Sequence, residues 1–296
     1  MTIVNTKVNT KVSTLTKLVQ QGSKLNLIPE YKTVLEAMTT EPSITDKKLQ
    51  NLWLKQMVDG GYYAKAEFLD MFSVHAEDSA LFNWKNPSEL IPTKIGTPVF
   101  TAHKGFKGDS INGSCLDLKF TALTMSTVSS NENFCAIVGV GDNVQENARD
   151  FGVIDPNNTD ISISSRWSDD YAYYGSNTSS RDYLLNSNSI AHYAMSRANS
   201  SNVDIYKNLT KTSKTRSVIA ALSSRSLYAC GRNNNRVAEP NNKTIRYVFF
   251  FSYLTEMEVF DVINITENYL QAVNSGLFFL DEYDLNTIYN EETNYG

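Results

Sequence analysis

The chain has 296 residues, 41% of them apolar and 11% aromatic, which is enough to fill a sizeable core and excludes a disordered protein. Its 27 basic and 32 acidic residues leave a net charge of −5, so there is no basic field for gathering phosphates and no support for nucleic-acid binding. No apolar run reaches the roughly 18 residues that a membrane span requires, and Met1 to Val12 lacks the apolar centre of a signal peptide, so synthesis and use without classical secretion is the expectation.

The first residues differ from the rest. Val4, Val8 and Val12 recur every fourth position, and Leu15 and Val19 continue the series. Two forms fit, a helical seam between chains or an extended arm laid on a partner. Either way residues 1–30 read as an anchoring or oligomerisation arm, because nothing local would cover these side chains. From Pro29 the composition changes. Tyr31, Val34, Leu35 and Met38 have helical spacing, ended by Glu41-Pro42. Ser43 followed by Asp46 has the form of a capping box, and Leu49, Leu52, Trp53, Gln56 and Met57 make one face of a second helix. Asp59-Gly60-Gly61 closes it, and a short helix from Tyr62 to Glu67 leads into Phe68–Val74, which fits helix or strand. Residues 31–78 are thus expected to form a helical collar.

Beyond it lie many short strand candidates separated by Gly, Asn and Asp turns: Pro98–Thr101, Gly105–Asp109, Cys115–Phe120, Asn133–Val140, Asp150–Ile154, Asp160–Trp167, Ser217–Leu222, Leu227–Arg232 and Thr244–Tyr253. Ile190 to Arg197 and Val203 to Tyr206 flank a cluster of small residues and read as a hairpin. The spaced positives Lys207, Lys211, Lys214 and Arg216 read as a solvated loop. One strong helix follows, Glu256 to Val273. The expected fold is mainly β, an antiparallel jelly-roll sandwich over residues 79–275 with that helix packed on it. Residues 276–296 are too short to fold alone and either pack back or dock on a neighbouring subunit.

Cys115, Cys135 and Cys230 are odd in number and lie at no metal-binding spacing, so they are expected to be reduced, buried thiols. His75, His103 and His192 stand near no Gly-x-Ser-x-Gly elbow, and His192, beside Tyr193, reads as structural. Gly139-Val-Gly141 has too few glycines for a dinucleotide loop. Asp155 with Asp160, and Asp169 with Asp170, have the oxygens to assist calcium but read as surface turns, so no cofactor and no metal is expected. The nearest approach to a glycosidase Glu-x-Asp-x-x-Glu strand, Glu282-Tyr-Asp284, lacks its second Glu at Thr287. A non-enzymatic protein is the expectation.

The binding candidate is Trp167 with Asp169, Asp170, Tyr171, Tyr173, Tyr174 and Asn177. Sugars present flat C–H faces and hydroxyl rims, which rings beside carboxylates and amides would match. The same aromatics would equally serve to fill the sandwich or to form a subunit contact.

Several stretches together resemble structural proteins of tailed bacteriophages, including those infecting gut Bacteroidetes. They are Tyr31 with Val34–Thr40 and Pro42, then Met57–Lys65, Asn83-Trp-Lys-Asn-Pro87 and Gly105–Asp109. His192–Arg197, Val203–Asn208 and Leu254–Glu258 look like a concanavalin A-like, or laminin G-like, sandwich. The resemblance spans about residues 31–274 and implies a head or tail fibre or a capsid decoration, made in the bacterial cytoplasm and carried on the virion surface. It further implies a homo-oligomer, a dimer or trimer, that is anchored to capsid or tail subunits through the arm and displays a lectin-like domain to host or mucin glycans. A glycan-degrading hydrolase on the same fold and a purely architectural subunit are the alternatives.

Overall fold

The structure is a computed structural model that describes residues 25–124, 133–155, 160–177, 180–217 and 223–277. The proposed arm residues Val4, Val8, Val12, Leu15 and Val19, the Ser217–Leu222 strand after its first residue, and the tail beyond Leu277 lie outside the described residues.

Three helices come first: α1 (Pro29–Ala37), α2 (Ile44–Asp59) and α3 (Tyr62–Lys65). The strands follow as β1 (Ala66–Met71), β2 (Thr93–Ile95), β3 (Val99–Thr101), β4 (Gly105–Lys107), β5 (Cys115–Thr121), β6 (Phe134–Val140), β7 (Phe151–Ile154), β8 (Asp160–Ser164), β9 (Tyr171–Ser176) and β10 (Asp182–Leu185). Then come β11 (Ala191–Arg197), β12 (Asn202–Lys207), β13 (Thr210–Thr215), β14 (Ser226–Ala229), β15 (Gly231–Asn234), β16 (Val237–Pro240), β17 (Thr244–Phe251) and the helix α4 (Glu256–Ala272). They build the antiparallel sandwich read from the sequence. Sheet A runs β13-β12-β11-β6-β17-β4-β3, with β1 also paired to β17. Sheet B runs β10-β9-β8-β7-β14-β5-β2 and carries β15 and β16 beside β7.

The molecule has three layers, helices on sheet A and sheet A on sheet B. Every residue of β6 and β17 is buried, and these strands read as near-continuous apolar runs because both faces are covered. Phe250 faces sheet B and meets Phe120, Phe134 and Phe151. Tyr247 and Phe249 face the helices, stacked at 4.3 Å, and Trp53 of α2 packs on Phe249 at 5.7 Å. Trp84 closes on Trp53 edge to face at 5.5 Å. The Asn83-Trp-Lys-Asn-Pro turn is therefore a structural joint, and Asn83 Oδ1 accepts the Leu69 N–H of β1 at 3.1 Å.

Local chemistry explains the element ends. Ser43 accepts the Asp46 N–H at 3.1 Å, and Thr255 with Glu258 forms a full capping box at the start of α4. On α4 the buried Val259, Val262, Ile263, Thr266 and Leu270 fall at spacings of three and four. Gly105, at φ 95°, has no room for a side chain, since a Cβ there would lie 2.1 Å from the Ile245 carbonyl oxygen.

Some expectations change. Ala66–Met71 lies in the stretch expected to be collar but pairs with β17, so sheet A begins there. The positives expected on a solvated loop lie on or beside β13, whose sequence Thr-Lys-Thr-Ser-Lys-Thr lacks apolar alternation because it is an edge strand. All three cysteines are free and buried, and burial pushes the Cys115 thiol up to about 12. Between α2 and α4 a hollow of 30 Å³ is lined by Leu49, Trp53 and Tyr269, which is about the space of one water and too small for a sugar.

Candidate functional site

Sheet A has its outer face under helices; among the described residues no helix lies over β8, β9 and β10 of sheet B. On β9 the side chains alternate. Ala172, Tyr174 and Ser176 point inward and are buried, and Tyr174 donates its hydroxyl to the Tyr206 carbonyl of sheet A at 2.8 Å. Tyr171 and Tyr173 point outward and are half-buried. Register places Tyr183 and Leu185 of β10 opposite Tyr173 and Tyr171, on that same open face. Tyr183 is 52% exposed and Leu185 75%.

The rings form one cluster. Trp167 meets Tyr173 edge to face at 6.0 Å, and Tyr183 meets Tyr171 at 5.3 Å and Tyr173 at 6.1 Å. A tight turn presents the indole: the Trp167 N–H bonds to the Tyr171 carbonyl at 2.8 Å, and Asp170 N–H to the Trp167 carbonyl at 3.1 Å. Asp170 takes a left-handed backbone, φ 63°, and its carboxylate accepts Arg166 Nε at 2.8 Å and Gln145 Nε2 at 3.0 Å. Asp169 accepts the Tyr173 hydroxyl at 2.6 Å, and that hydrogen bond pushes the phenol up.

Behind Trp167 lies the Arg149 guanidinium, with Arg181 and Arg232 close to it. Arg181 bonds Asp160 at 2.5 Å and Arg232 bonds Glu239 at 2.5 Å. Burial raises the Glu239 carboxyl, but Arg232, Asn234 and Arg149 outweigh it and hold it below its usual range. Arg149 lies 4.3 Å from the centre of the Trp167 ring and is 3% exposed. Desolvation, with Arg181 close by, lowers its pKa to about 10. At the other end, Lys214 Nζ stands 5.9 Å from the Tyr183 ring.

Of the residues expected at a binding site, Trp167, Asp169, Tyr171 and Tyr173 come together on this face. Asp170 braces the turn. Two expectations are corrected: Tyr174 and Asn177 are fully buried and belong to the interior. Sequence reasoning missed Tyr183, which stands on a short strand with no alternation to reveal it, and Arg149, whose place under Trp167 depends on a tertiary contact. Among the described residues no group of three or more His, Cys, Asp or Glu is placed to hold a metal ion. Asp160 is turned toward Arg181 and Ser162 instead. His192 is buried, 2.8 Å from Glu267 of α4 and 2.5 Å from the Tyr247 hydroxyl, and ties helix to sheet.

No protein-family model and no curated protein matches the chain. Solved structures similar to it include a Trypanosoma rangeli sialidase mutant displaying trans-sialidase activity, at 12% identity and a TM-score of 0.48, covering 76% of this chain and 39% of that one. Another is domain 4 of an extracellular arabinanase from Geobacillus stearothermophilus in complex with arabinotriose, at 17% identity and a TM-score of 0.39, covering 67% of this chain and 100% of that one. A third is botulinum neurotoxin type C, a toxin dependent on interaction with two ganglioside molecules, at 13% identity and a TM-score of 0.49, covering 70% of this chain and 52% of that one. This chain spans less than half of the sialidase chains. None of these three is a phage protein. The expectation of a non-enzymatic protein is corrected: sialidases, which are enzymes, stand among the similar structures, and the fold offers no ground for setting catalysis aside.

Proposed function

We propose that the open outer face of sheet B binds glycans. The observation that carries this reading is the uncovered cluster of Trp167, Tyr171, Tyr173 and Tyr183, with ring centroids 5.3 to 6.4 Å apart and Asp169 beside them. Such a patch stays out of the core only at a cost in unburied apolar area, which binding would recover. Ring faces suit the C–H faces of a pyranose, and Asp169 suits its hydroxyls. Display in many copies, through residues 1–30 and as an oligomer on a virion surface as the phage resemblance implies, would turn weak sites into useful avidity.

A glycan array probed with the full chain tests this, followed by calorimetry on any hit. Tyr171→Ala with Tyr183→Ala is expected to weaken binding about tenfold or more while leaving the fold intact. A folded protein that binds nothing on the array removes the reading. Leu185, apolar and exposed beside the rings, favours a second reading in which the patch is a subunit contact. In that case the double variant lowers the oligomeric state seen by light scattering.

A further inference from the structure

Arg149 has no role in the ring cluster as such, yet it is built into its floor. Nothing hydrogen-bonds its Nε or Nη1, although the residue is 3% exposed. Arg181 is paired with Asp160 and Arg232 with Glu239; Asp160, Asp150 and Glu239 act on Arg149 through space, but among the described residues none of them is within ion-pair distance of it. A buried cation with open donors is unfavourable unless something compensates it, and a planar guanidinium matches a carboxylate through two parallel hydrogen bonds. The cover over it is the Trp167 indole, which is half-exposed, and the backbone N–H of Trp167 is held separately by Tyr171. Rotation of the indole would leave the backbone hydrogen bonds of the turn in place. Lys214, beside Tyr183, puts a second cation at the far end of the same patch.

We propose that the saccharide bound on this face carries a carboxylate, and that Arg149 donates to it from Nε once the Trp167 indole swings aside. This rests on the glycan reading above and names the class of sugar. Neutral sugars would use the rings alone; a carboxylated sugar would use the rings and the guanidinium together. Trp53 and Trp84 are buried, so acrylamide quenching of the full chain reports chiefly on Trp167.

The test is calorimetry of the full chain with a carboxylated oligosaccharide, its methyl ester and a sulfated analogue, alongside quenching. The free acid is expected to bind about tenfold more tightly than the ester and to change Trp167 quenching, with the sulfate between them. Arg149→Met is expected to erase the preference for the acid while keeping the weaker binding of the ester, and Arg149→Lys to restore part of it. Should Arg149→Met fail to fold, the Lys variant and the ester comparison in the unaltered chain still decide the matter. Equal affinity for acid and ester overturns the carboxylate assignment and leaves the glycan reading standing. A sulfate bound more tightly than the acid overturns it in favour of a sulfated sugar. Absence of binding to all three by a folded protein that also binds nothing on the array overturns both.

Discussion

The two outer faces of this sandwich carry similar side chains and meet opposite fates. On β17 the alternate residues Tyr247 and Phe249 stack and are sealed by Trp53 and Tyr269, and all of these are almost wholly buried. On β9 the alternate residues Tyr171 and Tyr173 are flanked by Trp167 and Tyr183, and no helix of the described residues covers them. An aromatic ladder is thus no indicator of core or of site by itself. The deciding factor is which sheet receives the helices. Sheet A receives α2 and α4, tied down by Trp53 donating to Thr266 at 3.3 Å and by His192 against Glu267. Sheet B leaves Tyr171, Tyr173 and Tyr183 partly exposed.

Truncation should separate the two faces most clearly. Trp53→Ala on the covered face is expected to cost about 3–5 kcal/mol, because a large side chain leaves a cavity among packed rings. Tyr171→Ala on the open face should change stability by no more than about 0.5 kcal/mol. Urea unfolding of both variants checks the contrast, and equal losses would mean that the open face is structural after all.

Between the faces lies Asp70 of β1, fully buried, with neither carboxylate oxygen hydrogen-bonded. Desolvation pushes its carboxyl well above the ordinary value. The folded state then holds a proton that the unfolded chain releases near pH 4, so this residue's penalty is absent below that pH and grows as pH rises toward the folded value. Asp70→Asn is expected to be more stable than the unaltered chain by about 1–2 kcal/mol at pH 8, with the gap closing toward pH 4. Thermal melts across that range check it, and a gap that does not vary with pH would rule out the buried acid as its cause.

A smaller effect tests whether the open face is prebuilt. Asp169→Asn removes the charged acceptor of the Tyr173 hydroxyl and should bring the phenol back toward 10, its ordinary value. Ultraviolet titration of the unaltered chain and the variant would show it. Stability should shift by less than about 0.5 kcal/mol, since the group is at the surface. The smallest expected change is at Lys55, whose exposed pair with Asp59 should contribute at most about 0.5 kcal/mol, so Lys55→Ala serves as a baseline in the same unfolding series.

Much of this was legible beforehand. The cap at Ser43, the Gly60-Gly61 stop and the Ala191–Lys207 hairpin are local features, and each appears where spacing and turn chemistry put it, whereas the capping box at Thr255 emerged only with the structure. The strands that escaped notice are those whose environment is not written locally. β13 is polar because it is an edge and β10 is short; β1 stayed open between helix and strand because apolar residues fall on both of its faces. At the site, Trp167, Tyr171 and Tyr173 were found from composition, and Tyr174 was wrongly grouped with them, because period two was not applied through that run.

By itself the sequence determined the fold class, the caps, the buried thiols and the aromatic stretch, since these follow from periodicity, backbone preference and burial within a few residues of each position. Only the tertiary structure decided which aromatic ladder the helices would cover and that Tyr183 would join Trp167. It alone brought Arg149 beneath that indole. Those outcomes depend on pairings between residues 18 to 196 positions apart, such as Arg149 with Trp167 and Trp53 with Phe249, and no local pattern encodes contacts at that range.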